Sequence, residues 1–336
     1  MFNKKIIMTV IWTIVMLIIV AFFPRSSADQ VMQCAYSDSA KAPVLTKLKI
    51  GYIPIAECAH LYVGMAKNYF EQEGLEVLFQ PMKGGAVILP ALQTGDLDIG
   101  FTNVVSIIIL NAKMPSRAPK SFISLVGATY ERRGFTNHAL LKKRNSSLSI
   151  KDLGNPNIKF ALNTTRNIEE LMLRRFLVKK GIKITRLNII QLGFPEMLSA
   201  LDRGDIDVVS EVEPFIEPAL HTQKYVLLAR QYQEVSPNTL VATYAVTRKW
   251  LKKNRDVADR FIRAFRKADD FIKNNEPEMR QIVGSFTRIS KENLSIIGMP
   301  AFEAKESKND INELISEMYK YGFIDRKPNP DDLIIE

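Results

Sequence analysis

A two-lobed α/β fold with a ligand cleft between the lobes is what this sequence predicts. Three observations predict it: a long-range internal repeat, short strands alternating with amphipathic helices, and a length that suits two cores. Ala91-Leu92-Gln93-Thr94-Gly95-Asp96-Leu97-Asp98-Ile99 returns 109 residues later as Ala200-Leu201-Asp202-Arg203-Gly204-Asp205-Ile206-Asp207-Val208. Upstream, Gly74-Leu75-Glu76-Val77 recurs as Gly181-Ile182-Lys183-Ile184, and Leu48-Lys49-Ile50-Gly51 as Ile158-Lys159-Phe160-Ala161, at offsets of 107 and 110. Three nearly equal offsets mark a duplicated unit reading strand, helix, strand, helix, strand. The 336 residues exceed one ordinary core and suit two lobes of roughly 100–150 residues each.

The first copy opens with a strand at Leu48 to Tyr52 and a helix over Ala59 to Phe70, where Leu61, Met65 and Tyr69 recur at the four-residue spacing of one helix face. Gly74 stops it. A strand at Leu75 to Phe79 leads to Gly84-Gly85, which suits a positive φ or a close backbone approach, and to a helix ending at Gly95. Leu97 to Phe101 is the third strand, and Thr102-Asn103 can cap the helix after it. The second copy repeats the order. Asn163-Thr164-Thr165 is expected to cap the helix from Ile168 to Lys180, and Glu213 to cap a helix that begins at Pro214. Thr239 to Thr247 is strongly β-like and returns the chain to the first lobe. The pattern beyond Trp250 is helical, with Phe261, Phe265 and Ala268 on one stripe. The expected domains are residues 47–135 and 239–336 for lobe one and residues 136–238 for lobe two.

Lys4 and Lys5 precede an uncharged apolar run of 18 residues, Ile6 to Phe23, and Ser26-Ser27-Ala28 supplies small residues for cleavage. Residues 1–28 therefore read as an export signal or a retained anchor, with residues 29–46 as a polar tether. Cys34 follows Gln33, whereas a lipoprotein processing site wants a small residue there, so lipid attachment is only weakly signalled. Without residues 1–28 the net charge falls from +10 to +7. The basic residues are scattered over helical positions without interleaved aromatics, which argues for solvated faces or contact with anionic headgroups and against nucleic acid. Two cysteines and three histidines exclude a disulfide scaffold and a clustered metal site.

Ligands of open α/β sheets bind beyond the carboxyl ends of the strands. That rule selects Tyr52 to His60, Gly84, Gly85, Thr102, Asn103, Thr129, Tyr130, Asn163 to Asn167 and Glu211 to Glu213. Two capped helix ends facing inward would suit an anionic group such as a sulfonate. Glu57, Glu211 and Glu213 pull toward a cation or a heterocycle, so the sign of the ligand charge stays open. Cys58 and His60 flank Ala59, a spacing that sends their side chains about 200° apart on a helix and speaks against a nucleophile–base pair.

The chain resembles the nitrate/sulfonate/taurine family of ABC-transporter solute-binding proteins, whose fold is shared with thiamine-pyrimidine precursor binders. The resemblance is carried by Gly51-Tyr52-Ile53-Pro54, Leu61-Tyr62-Val63-Gly64, Gly95-Asp96-Leu97-Asp98-Ile99-Gly100, Asn163-Thr164 with Asn167-Ile168, Phe194-Pro195 and Glu213-Pro214-Phe215. It implies a type II periplasmic binding fold that closes on a small anionic or polar organic solute and delivers it to a membrane permease with its ATPase. It also implies a monomer on the outer face of the cytoplasmic membrane, without a cofactor. Carried over residue by residue, the expected contacts are Tyr52, Glu57, His60, Gly84, Gly85, Thr102, Asn103, Asn163, Thr164 and Glu213. Val212 stands where family members often have an aromatic residue. The competing reading is an enzyme on the same fold, a pyrimidine-precursor synthase, which would need a reactive Lys-His site and a cysteine-rich iron segment.

Overall fold

In the computed structural model of the protein, residues 44–184 and 186–335 are described. The export signal, the anchor, most of the tether and Cys34 lie outside them. Among the described residues no helix is long and apolar enough to cross a membrane.

Strand β1 (Thr46–Tyr52) alternates Lys47 and Lys49 outward with Leu48, Ile50 and Tyr52 inward, the period of a strand with one buried face. Helix α1 (Ala59–Ala66) follows, then the short α2 (Tyr69–Gln72). The single helix expected over this stretch is broken because Asn68 adopts a left-handed conformation, φ 57°, one that Asn tolerates better than most residues. Strand β2 (Leu75–Pro81), helix α3 (Gly85–Thr94), strand β3 (Ile99–Asn103) and helix α4 (Val104–Ala112) complete the first copy. Strand β4 (Phe122–Arg132) then leads out of this lobe.

The second lobe is built from β5 (His138–Lys143), β6 (Lys159–Leu162), α5 (Ile168–Lys179), β7 (Asn188–Gln191), α6 (Phe194–Arg203), β8 (Val208–Val212), α7 (Ile216–His221), β9 (Tyr225–Ala229) and α8 (Gln231–Val235). Strand β10 (Asn238–Thr247) returns to the first lobe. There the chain ends with α9 (Arg248–Lys253), α10 (Arg255–Asn274), α11 (Glu276–Thr287), α12 (Lys291–Leu294), β11 (Ala301–Glu303) and α13 (Lys308–Lys320).

The first sheet has the order β11-β4-β10-β3-β1-β2 and the second β7-β6-β8-β5-β9. The repeat is visible as the same parallel trio in both: β2-β1-β3 in one and β7-β6-β8 in the other. The repeated Gly-Asp-x-Asp segment does the same work twice. Gly95 and Gly204 end their helices at φ 88° and 80°, where a side chain would be strained. Asp98 then accepts from the Lys49 N–H through its carboxylate at 2.8 Å while donating its own N–H to the Lys49 carbonyl at 2.9 Å. Asp207 makes the same two contacts with Lys159, at 2.8 and 2.9 Å. The second acid of the motif thus clamps strand one to strand three in each lobe.

Helix α10 carries Ala258, Phe261, Phe265, Ala268 and Ile272 on its buried stripe. Phe261 stacks on Phe70 at 5.4 Å and Phe265 on His60 at 4.5 Å, so the helix packs on lobe one with its basic side chains outward and Asp269 turned inward. Beneath it Gly127 has φ 78°, and a Cβ there would stand 2.3 Å from the Phe265 ring. Gly127→Ala should therefore lower the unfolding free energy by about 2–4 kcal/mol, from backbone strain and overpacking together, as read by urea denaturation. A loss under 0.5 kcal/mol would show that the ring moves aside freely.

Candidate ligand-binding site

Parallel strands end on one side, so β1, β3, β6 and β8 bring their carboxyl-terminal loops to the gap between the lobes. A cavity of about 260 Å³ opens there between Ile53, Pro54, Ile55 and Met82 of lobe one and Phe194, Pro195 and Phe215 of lobe two. Lys83 Nζ reaches Glu196 Oε1 across its rim at 3.1 Å, but both side chains are exposed and screened, so this latch is weak. A wider hollow of about 710 Å³ lies among α11, α12 and the turn between them. It touches no strand end and presents neither lobe to the other, which makes the smaller cleft the candidate.

Six of the expected residues lie at these strand ends, and Gly84 and Asn163 approach each other across the gap. A Cβ on Gly85 would stand 2.6 Å from Thr102 Oγ1, and one on Gly84 would stand 3.5 Å from Asn163 Nδ2 of the other lobe. The backbone at Gly84 is extended, so close approach is the reason for glycine here, rather than a positive φ. Thr102 is fully buried and its Oγ1 has no hydrogen-bond partner. Asn103 caps α4 by accepting from the Ser106 N–H at 2.9 Å. Asn163 is not the cap of α5. Asn167 is, accepting from the Glu170 N–H at 3.1 Å, while its amide donates to Asn163 Oδ1 at 2.7 Å. Thr164 donates to Gln191 Oε1 at 3.4 Å.

The other expected contacts meet partners within the protein. His60 is buried with Nε2 bonded to Asp269 at 3.0 Å and its ring against Phe265 and Phe302, all residues of lobe one. Burial pulls its pKa down against the pull of Asp269, and it serves the interior of that lobe. Cys58 forms no pair with it, since burial pushes the thiol pKa up and out of the reactive range. The Tyr52 ring packs on Phe79 at 5.2 Å and Tyr62 at 6.0 Å. Glu213 has both oxygens engaged: Oε2 accepts from the N–H groups of Ile216 and Glu217 at 3.2 and 3.3 Å, and Oε1 from Gly298 N–H at 3.1 Å. The helix starts at Ile216 and not at Pro214. Glu213 still satisfies its first turn, and its carbonyl accepts from Ala56 N–H of lobe one at 3.2 Å.

Glu57 belongs to a buried charge cluster that pattern reading did not reveal. His138, the first residue of β5, is held between Glu131 Oε1 at 2.9 Å on Nδ1 and Glu169 Oε1 at 3.2 Å on Nε2, with Glu57 Oε1 at 4.0 Å. Its ring stacks on Tyr232 at 4.3 Å. Glu169 also accepts from the Tyr232 hydroxyl at 3.0 Å and from Ser210, and Glu131 from the Asn137 N–H at 2.7 Å. Burial alone would lower the imidazole pKa, but Glu169, Glu57 and Glu131 carry it well above its usual value. Burial raises Glu57 to about 7 against the pull of His138. Glu211, fully buried with Oε2 unpartnered, is pushed well up by the same cause. Glu57 and Glu131 come from lobe one and the rest from lobe two, so the cluster spans the crossover between β4 and β5. Among the described residues no group of three or more His, Cys, Asp or Glu side chains is placed to hold a metal ion.

The two mixed sheets and the cleft between their strand ends define a two-lobed protein of the periplasmic binding fold. Its lobes superpose on solved members of that class. The ligand-binding component of an ABC-type import system from Staphylococcus aureus aligns with a TM-score of 0.71 at 17% identity, covering 86% of this chain and 96% of that one. The nitrate-binding protein NrtA from Synechocystis PCC 6803 aligns with a TM-score of 0.70 at 13% identity over 87% of each chain. The aliphatic sulphonate binding protein SsuA from Escherichia coli gives 0.64 at 16%, over 85% and 96%. A putative binding protein of Brucella abortus is 21% identical over 263 residues, 78% of this chain and 76% of that protein. The model of the NMT1-like family matches residues 41–286, and the chain belongs to that family.

Proposed function

We propose that this chain is the exported receptor of an ABC importer, capturing a small polar organic solute and presenting it unchanged to a membrane permease and its ATPase. Residues 47–135 with 239–336 and residues 136–238 act as the two moving lobes, and the N-terminal apolar run carries the protein across the membrane or holds it there. One observation carries this reading: both lobes send buried polar groups without partners, Thr102 Oγ1 from one and Glu211 Oε2 from the other, to the strand ends beside the cleft. A buried polar atom without a partner costs about 1–3 kcal/mol, and a solute that supplies the missing bonds recovers it.

Solute names attached to the neighbours, sulphonate and nitrate, make small oxyanions the first compounds to test. A ligand of the closed state should raise the melting temperature by mass action. It should also contract the protein by hinge motion at residues 130–138 and 236–243. Thermal shift over sulfonates, nitrate, carboxylates, amines and pyrimidines, followed by small-angle scattering with any hit, checks both. A hit that leaves the radius of gyration unchanged would count against lobe closure.

A further inference from the structure

Unpartnered acceptors crowd the buried ground between the lobes. Glu57 Oε1, Glu131 Oε2, Asn137 Oδ1 and Glu211 Oε2 all lack a hydrogen-bond partner and are shielded from solvent. Asn137 is the independent sign of a missing occupant. It is fully buried and its side chain stands within hydrogen-bonding reach of Glu57, a contact that draws that carboxyl's pKa down, while its Oδ1 meets no donor. Glu57 itself lies two residues past Ile55, which lines the cleft cavity.

The same ground is hostile to an anion. The first turn of α5, one of the two helix ends expected to cradle an oxyanion, carries Glu169 and Glu170, both buried. Its Glu170 N–H is already taken by Asn167, as the Ser106 N–H of α4 is by Asn103. The cations at the margin are engaged: Lys83 by Glu196, Arg166 by the Phe323 carbonyl and Arg230 by Glu217. Arg230 keeps one buried unpartnered Nη1, a contrary atom, but it faces Glu213 as well as Glu217. His138 is matched by Glu131 and Glu169 on its two nitrogens. Glu57, 4.0 Å from the same imidazole, and Glu211 are the acids left without a hydrogen-bonded cation, and of the two Glu57 comes from the loop that lines the cleft.

We infer that the solute is a cation, an amine or amidine whose N–H groups enter beside Glu57 and Asn137, with Glu57 as its counter-ion. The inference rests on the receptor reading above and sets the charge of the ligand it leaves open. A charged N–H···carboxylate contact in a dry site is shorter and stronger than a neutral one, and it converts an uncompensated buried acid into half of a pair. An isosteric acid would place a second negative charge against Glu57, Glu131 and Glu169.

Matched isosteres test this on the purified full-length protein by calorimetry and thermal shift: benzamidinium, benzamide and benzoate, and acetamidinium, acetamide and acetate. Methanesulfonate and nitrate complete the set. The amidinium of a series should bind at least tenfold more tightly than its carboxylate, with the amide between. Glu57→Gln should weaken the amidinium at least tenfold while the amide changes less than threefold. If that variant melts before it can be titrated, Asn137→Asp, which adds a charge at the same place with little change of shape, should tighten the amidinium severalfold. A carboxylate, nitrate or methanesulfonate that binds more tightly than every amidinium would overturn the inference and leave the receptor reading standing. So would a folded Glu57→Gln protein with unaltered amidinium affinity, or an Asn137→Asp protein with no gain. No binding by either set would sink both readings.

Discussion

Replacing His138 by Phe should cost about 3–5 kcal/mol of unfolding free energy, the usual penalty for stripping a buried ion cluster of one sign. The imidazole is the bridge between Glu131 at 2.9 Å and Glu169 at 3.2 Å, and it has Glu57 at 4.0 Å. Phe preserves the stack on Tyr232 but removes both N–H groups, leaving three acids within a few ångströms and no cation. Urea denaturation of the variant and the parent measures the difference. A companion variant, His138→Phe with Glu169→Leu, should recover part of the loss, because a buried pair replaced by apolar side chains is often nearly neutral whereas a broken pair is not. A single variant within 1 kcal/mol of the parent would show that water reaches the cluster and solvates the acids.

Raising the pH from 5 to 8 should weaken the ligand-free protein, the reverse of ordinary acid lability. Glu57 and Glu213 have folded pKa values raised from 4.5 to about 7 by burial. A carboxyl raised on folding contributes stability that is complete below its unfolded pKa and is lost as pH climbs through its folded value. Their share therefore disappears between about pH 4.5 and 7. Glu211, raised further by burial, extends the loss to higher pH. His138, held up by its three acids, acts in the same direction. The carboxyls lowered in the fold, Glu73, Asp152, Glu196 and Asp269, oppose this only below about pH 4.5, where their stabilising share is still building. Asp332, lowered chiefly by its bond from Ser116, regains its stabilising share once the pH exceeds about 4. His60, whose pKa burial lowers, favours the folded state as the pH approaches 6.5. One isolated carboxyl shifted this far corresponds to about 3 kcal/mol, so the melting temperature should fall by roughly 5–10 °C across the range. Calorimetric scans from pH 4 to 8.5 check this, and a flat or rising curve above pH 5 would show that the carboxyls ionise freely. A cationic solute should remove the share of the pH dependence that belongs to Glu57, since it compensates that carboxyl in the ionised form, and leave the share of Glu213.

The duplicated frame was legible because it rests on local chemistry. Gly95 and Gly204 announce helix ends, and short β-branched apolar runs against four-residue apolar spacing separate strands from helices. Pattern reading fails where the deciding partner is remote. It runs one helix through Asn68, whose left-handed turn is set by packing. It overlooks β11, three residues that pair with β4 only because the chain folds back there. It places His60 at the ligand because a histidine beside a strand end is a fair candidate, whereas Asp269 and Phe265, more than 200 residues away, take it into the lobe. The Gly84, Gly85, Thr102, Asn103 and Asn163 group was readable from the rule of strand ends, and Gly84 and Asn163 do approach each other across the gap.

Sequence alone determined that two α/β units of one strand-helix-strand-helix-strand design recur along the chain. Hydrophobic period, helix-stop glycines and the Gly-Asp-x-Asp repeat act within a few residues, so they can be read along the chain. Only the tertiary structure decided the charge of the interior. Glu57 and Glu211, 154 positions apart, read as strand-end carboxylates, but Glu131, His138 and Glu169 carry no such signal along the chain. Packing of the two lobes removes water from all five at once, and it is desolvation, a property of the assembled interface, that makes each of these charges depend on its neighbours.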